Sequence, residues 1–330
     1  RMEFLALLEG QLKSHAAPIV QVDESLRRRD FERLTAGGQL GRTRAMLKVE
    51  DGCTNFCTYC IIPYARGPVR SLPLSEAVDQ AKELEAQGYR EIVLTGIEIS
   101  SWGRDLKEGQ TLIDLVEALC HAVPGLRVRL GSLEPRTITQ DFCQRAVALP
   151  NLCPHFHLSM QSGCDETLKR MNRKYDTARY LQSVQWLNQY FDRPAITTDL
   201  IVGFPQETEE EFAQTLDFIR RCAFSSMHIF PYSRRSGTPA ATMAGQIPHA
   251  VQEQRAQAAQ AVAREMEEAY LQALVGSTLP VLLEEEKEGL WQGHAPNYVA
   301  VRAAGEDLHN QLRQVTITGV GDGILLGTIQ

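Results

Sequence analysis

The chain has 330 residues, 43% hydrophobic and 23% charged, with a formal net charge of −7. That composition fits a globular protein with one large core and a small companion, and it excludes a disordered or fibrous chain. No apolar run approaches the roughly 20 residues a membrane span needs, so no membrane association is expected. The opening Arg1-Met2-Glu3 carries no basic-then-apolar pattern, which predicts a cytoplasmic protein. An acidic balance supplies no global attraction for nucleic acid, so any RNA contact must come from a local basic patch.

In chain order, residues 1–40 show weak periodicity and the basic run Arg27, Arg28 and Arg29; they read as a linker or the remnant of a missing N-terminal domain. From residue 45, short β-rich runs alternate with helical ones. Strands are expected at 46–49, 91–95, 127–131, 155–159, 195–202 and 226–232, and helices at 74–87, 112–121, 138–148, 177–190 and 209–221. Thr208 and Glu211 make a capping box for the last of these helices. Six βα units in series predict parallel strands with right-handed crossovers, an α/β partial (β/α)6 barrel whose chemistry sits at the strands' C-terminal ends. A long polar helix is expected at 250–274, ended by Gly276. Period-two alternation at 279–283, 298–302, 315–318 and 324–329 then predicts a small antiparallel β-barrel. The domains read as 41–275 and 276–330. The Gly319–Gly323 run lies between strands with no helix after it, so it reads as a hairpin turn and not a phosphate loop.

Of the eight cysteines, Cys120, Cys143, Cys153, Cys164 and Cys222 are scattered singly, as buried small hydrophobes are. Cys53, Cys57 and Cys60 instead form a CxxxCxxC loop directly after the first strand. Soft thiolates suit iron–sulfur clusters and zinc. Zinc sites come as paired CxxC or with histidines at fixed spacing, and neither is near. Three thiolates hold three irons of a [4Fe–4S] cubane and leave the fourth open, as a catalytic centre requires.

CxxxCxxC after a barrel's first strand resembles the radical S-adenosylmethionine (SAM) signature. The residues that follow, Ile61 to Gly67 with Arg70 and Ser71, resemble the radical-SAM methylthiotransferases, the MiaB, RimO and MtaB group. Gly41–Ala45, Ile92–Glu98, Ser132–Pro135, Gln161–Asp165, Leu168–Tyr175 and Thr198–Pro205 extend the resemblance, most of all to the MtaB type. It runs from about Gly41 to Gln330, and Pro296–Val299 falls in what resembles a TRAM-type RNA-binding barrel. The resemblance implies one [4Fe–4S] cluster on Cys53, Cys57 and Cys60 that binds SAM and reductively cleaves it, a reducing electron donor, and tRNA, at the anticodon stem-loop, as substrate. The implied reaction adds a methylthio group to C2 of N6-threonylcarbamoyladenosine; a ribosomal-protein substrate and a non-catalytic iron–sulfur RNA-binding protein are the alternatives.

Three departures stand out. Thr54 replaces a frequent Asn and Leu72 a usual Arg. The family also carries an upstream domain whose three cysteines hold a second, sulfur-donating cluster. No cysteine precedes Cys53 here, so that cluster is expected to be absent from this chain.

For SAM, the resemblance puts Tyr59 against the adenine, Gly96 and Glu98 at the ammonium, and Gly203 in the adenine-side wall. Ser159 and Gln161 end the fourth strand within reach of the ribose or carboxylate. For RNA, Lys169, Arg170, Arg173 and Lys174 place four cations in six positions, aided by Arg66 and Arg70, with Tyr298 offered for base stacking.

Overall fold

The computed structural model describes residues 2–14, 24–33 and 42–330. Much of the expected N-terminal linker lies outside the described residues, but Met2–Ser14 forms a helix, α1, where weak periodicity predicts none. There follow β1 (Arg44–Lys48), β2 (Glu50–Asp51), α2 (Ile62–Arg66), β3 (Arg70–Ser71), α3 (Leu74–Ala86), β4 (Glu91–Thr95), α4 (Leu112–Ala122), β5 (Arg127–Leu130), α5 (Gln140–Val147) and β6 (His155–His157). Then come α6 (Asp165–Arg170), α7 (Thr177–Tyr190), β7 (Ala195–Val202), α8 (Glu209–Cys222), β8 (Ser226–Pro231) and α9 (His249–Gln272).

The strands β1, β4 and β5 pair in parallel, as do β6, β7 and β8. Isolated parallel bridges Val128–Leu152 and Leu133–Leu158 connect the two halves. These six strands form the expected partial barrel. Their alternation sorts the side chains. On β7, Ile196, Thr198, Leu200 and Val202 are buried under the helices, while Thr197, Asp199 and Ile201 face the other side, the lumen. The outer faces merge with α3, α4, α5, α7, α8 and α9 into one hydrophobic core. Caps fix where the helices start. Thr208 and Glu211 form the capping box read from sequence, and Thr111 with Asp114 forms another on α4.

A closed five-stranded barrel ends the chain: β9 (Thr278–Lys287), β10 (Leu290–His294), β11 (Ala300–Ala303), β12 (Gln311–Gly321) and β13 (Ile324–Ile329). It departs from the expectation twice. The strand β10 is additional, and β11 runs parallel to β13, so the barrel is mixed rather than wholly antiparallel. The 319–323 segment is the β12–β13 hairpin, with Asp322 and Gly323 both at positive φ.

This small barrel has its own core and docks on the N-terminal ends of the parallel strands, opposite the cysteine loop. The Glu91 carboxylate there is fully buried between Arg127 (2.7 Å) and Arg129 (2.7 Å). Arg127 donates to the His294 and Pro280 carbonyls and Arg129 to those of Pro296 and Ala295, while Arg44 pairs with Glu284 at 3.0 Å. Among the described residues no helix is long and apolar enough to cross a membrane.

Candidate active site

The cysteine loop is shaped by its backbone. Gly52, at φ +92, brings the chain so close to Pro68 that a Cβ would lie 2.0 Å from its carbonyl oxygen, so only glycine fits. The Cys53 amide donates to the Gly67 carbonyl (3.0 Å) and the Cys60 amide to the Cys57 carbonyl (2.9 Å). The segment after α6 clamps the loop from the far side. Thr58 donates through its amide to the Met171 carbonyl (3.1 Å) and through its hydroxyl to the Arg170 carbonyl (2.9 Å). The Asn172 side-chain amide donates to the Phe56 carbonyl at 2.9 Å.

All three cysteines line one cavity at the C-terminal ends of the strands, together with Asn55, Tyr59, Ile97, Glu98, Ser132, Leu133, Glu134, Ser159, Gln161 and Arg173. Burial pushes the Cys53 thiol up to about 11 and raises Cys60 as well. Burial thus favours the protonated thiols, and a bound cation would offset the cost of ionising them. Burial also raises Glu98, in opposition to the Ser101 hydroxyl that bonds its carboxylate. Its Oε1 is buried with no partner, an acceptor left for a ligand. Arg173 crosses the cavity's wall. It donates to Cys57 Sγ (3.1 Å), the Tyr59 hydroxyl (3.4 Å) and the Ser159 carbonyl (3.3 Å), with Tyr175 beneath it.

This donor set fits the implied groups. Three convergent thiols suit a cluster with one open iron. An unpartnered buried carboxylate oxygen and a guanidinium in the same cavity suit the ammonium and carboxylate of an amino-acid cofactor such as SAM. Ser159 and Gln161 are there as expected, Gln161 at φ +68.

Other expected residues are placed differently. Gly96 does not line the cavity; a Cβ there would meet Glu50 Oε2 at 2.7 Å, so it lets Glu50 approach and accept from the Glu98 amide (2.8 Å). Burial pushes Glu50 up to about 8. Gly203 is likewise a packing glycine, its Cβ position taken by the Gln252 side chain at 2.4 Å. Its neighbour Phe204 packs with Met171 and Tyr232 behind Tyr59.

The expected RNA cations divide. Lys169 and Lys174 are exposed, and Arg66 is half-exposed. Arg70 is buried, donating to the Arg66 and Pro68 carbonyls and pairing with Asp51 at 3.3 Å. Arg170 is tied to Glu211 at 2.5 Å, and Arg173 belongs to the cavity. Tyr298 is 43% exposed, with its ring already engaged by neighbours. Its ring stacks on His294 (4.9 Å) and lies under Arg129 (4.6 Å) and Arg44 (5.2 Å) at the barrel's floor.

The sequence motifs name neither Glu50 nor the cavity role of Arg173. Only the Ser132–Pro135 run signalled Glu134 there, and Arg173 was hidden among surface cations.

The fold and the three-thiol cavity define a radical SAM protein, and residues 47–219 match the model of the Radical SAM superfamily. Among curated relatives, the threonylcarbamoyladenosine tRNA methylthiotransferase MtaB of Bacillus subtilis is 37% identical over 94% of this chain and 70% of its own length. The MtaB of Thermotoga maritima is 39% identical over 78% of this chain and 59% of its own. A tRNA-2-methylthio-N(6)-dimethylallyladenosine synthase of Desulfitobacterium hafniense is 38% identical over 87% and 65%. The chain belongs to this family of radical SAM methylthiotransferases. A solved radical SAM methyltransferase, TsrM of Kitasatospora setae with cobalamin and a [4Fe–4S] cluster bound, shares the fold at a TM-score of 0.51, with 18% identity over 59% of this chain and 38% of that one.

Proposed function

We propose that the chain is the catalytic part of a tRNA methylthiotransferase acting at C2 of N6-threonylcarbamoyladenosine beside the anticodon. The observation that carries this reading is the single cavity uniting Cys53, Cys57 and Cys60 with the orphaned Glu98 oxygen and Arg173. When bound, the cluster and SAM supply a 5′-deoxyadenosyl radical, given an electron from a reductant. The chain's own part is to hold the ligands. Glu98 takes the ammonium, Arg173 the carboxylate, and Tyr59 with the Phe204 layer behind it walls the adenine side. Ser159 and Gln161, just beyond the end of β6, complete the wall. Gly96 and Gly203 support this frame from behind.

The RNA lies across the mouth of the barrel, on the exposed Lys169 and Lys174 and the half-exposed Arg66, with Arg104 and Arg235 beside the cavity. A reaction on tRNA places the protein in the cytoplasm. The test is isotopic. The reduced, cluster-loaded chain is given SAM and an anticodon stem-loop deuterated at the adenine C2, and 5′-deoxyadenosine is analysed by mass spectrometry. Deuterium in that product supports the reading. 5′-Deoxyadenosine without deuterium, labelled instead by a ribosomal-protein peptide, would replace RNA with protein as substrate, and no 5′-deoxyadenosine at all would make the chain a binding protein.

A further inference from the structure

Beneath the cofactor cavity the lumen holds a second polar cluster that neither thiol chemistry nor SAM binding uses. His157 ends β6, Asp199 lies midway along β7, and His228 stands opposite Asp199 in the β7–β8 register. His157 Nε2 is 3.2 Å from an Asp199 carboxylate oxygen, and its Nδ1 is 3.0 Å from Thr197 Oγ1. Both nitrogens of His157 are therefore committed, and its contact uses one oxygen of the Asp199 carboxylate. The His228 ring is exposed, 6.3 Å from the His157 ring and 6.4 Å from that of Phe230. Among the described residues its nitrogens make no hydrogen bond. Phe230, two residues further along the same face of β8, is 51% exposed. Ser159, two residues beyond His157, lines the cofactor cavity, so this cluster lies one strand layer, about 7 Å, below it.

A half-exposed phenylalanine beside a carboxylate and an unpartnered imidazole is a poor surface for water and a good one for a flat heterocycle. Aromatic side chains receive the faces of unstacked bases, while donors and acceptors read their edges. Asp199 accepts from an amino or ring N–H, and the two ring nitrogens of His228 offer further hydrogen-bonding positions. A carboxylate disfavours phosphate at this depth, so the backbone stays at the mouth and the base enters. We propose that His157, Asp199, His228 and Phe230 form the subsite that receives the flipped purine base, with Phe230 against its face, Asp199 and His228 at its edge, and His157 positioning Asp199. This inference rests on the RNA reading above.

The test compares two anticodon stem-loops, one carrying N6-threonylcarbamoyladenosine at the target position and one carrying an abasic residue there. The full, cluster-loaded chain is expected to prefer the first by about tenfold, the effect of one well-held stack. H228A and F230A each alter an exposed side chain, so iron content and thermal melt should match the parent. Each should bring the preference toward unity while affinity for the abasic RNA holds. A parent that discriminates, with both variants discriminating equally, overturns the subsite alone. A parent that binds both stem-loops equally also overturns it and leaves RNA binding standing, whereas a parent that binds neither overturns the RNA reading as well.

Discussion

The guanidinium of Arg173 lies 3.1 Å from Sγ of Cys57, although the two are 116 positions apart in the chain. That contact explains a run of residues whose charge suggests something else. Arg170 lends its carbonyl to the loop and its guanidinium to Glu211, and Asn172 holds Phe56. Arg173 alone reaches the cavity. The run clamps and completes the cofactor site more than it presents a cationic face.

Replacing Arg173 therefore tests cofactor binding. A guanidinium bonded to a carboxylate is worth roughly 1.5–3 kcal/mol, so R173M should weaken SAM binding by about ten- to a hundredfold. Equilibrium binding of SAM to the cluster-loaded variant measures this. The salt dependence of RNA affinity should stay that of the parent, because the group is not at the phosphate surface. A flattened salt slope with unchanged SAM affinity would return Arg173 to the RNA patch.

Exposed cations behave in the opposite way. Lys169 and Lys174 face solvent, so K169E and K174E should each reduce the log–log salt slope of RNA binding by about 0.7–0.9. Filter or anisotropy titrations at several salt concentrations give the slope. R70E should instead lower the melting temperature, since it places a carboxylate beside Asp51 in a buried site.

The loop chemistry is tested by pH as well as by mutation. Reconstitution should give about four irons per chain, and the C53A/C57A/C60A variant none. The raised Cys53 and Cys60 thiols must lose protons to bind iron, so cluster uptake should fall as pH drops from 9 toward 6. Iron assay and the thiolate-to-iron absorption band follow both. A triple variant that still fills would assign the ligands elsewhere, yet the other five cysteines are buried in the fold.

What could be read from sequence follows from how far each signal reaches. The six parallel strands and the Thr208–Glu211 capping box are written in local periodicity and spacing, and the cysteine loop is confined to eight positions. The places of Arg70, Arg170 and Arg173 depend on partners 19 to 116 positions away, namely Asp51, Glu211 and Cys57, which no local pattern names. Tyr298 is the same case. It looks like a base platform in isolation and becomes a floor only when Arg44 and Arg129 meet it. The parallel β11–β13 pair was hidden because alternation gives the faces of a strand but not its direction.

Glu91 makes the docking of the small barrel testable. Its carboxylate pairs with both Arg127 and Arg129, and all three are buried. Removing one member of such a group leaves uncompensated charge, at a cost of about 3–5 kcal/mol. E91A should lower the melting temperature sharply and expose the barrel interface to proteolysis. E91Q, which keeps hydrogen-bond acceptance, should cost less. Equal melts for E91A and the parent would show that the arginines find other partners.

Glu50 carries the clearest pH signature. Burial pushes its carboxyl up to about 8, despite the Glu98 amide that favours the ionised form. A folded-state value above the unfolded one means the native protein binds this proton more tightly. The stability it contributes is complete below the unfolded carboxyl range and is lost as pH rises through about 8. E50Q keeps the acceptor for the Glu98 amide and cannot ionise, so it should gain on the parent as pH rises. The melting temperature of E50Q minus that of the parent should thus be larger at pH 9 than at pH 6. The raised Glu98 retains its own dependence of the same sign, so E50Q reduces the slope without abolishing it. Parallel melting curves for the two proteins across that range would mean that Glu50 is ionised throughout. Its Oε1, buried without a partner, would then be an unpaired charge beside the cofactor cavity, and the Gly96–Glu98 turn would rest on a carboxylate rather than on a carboxylic acid.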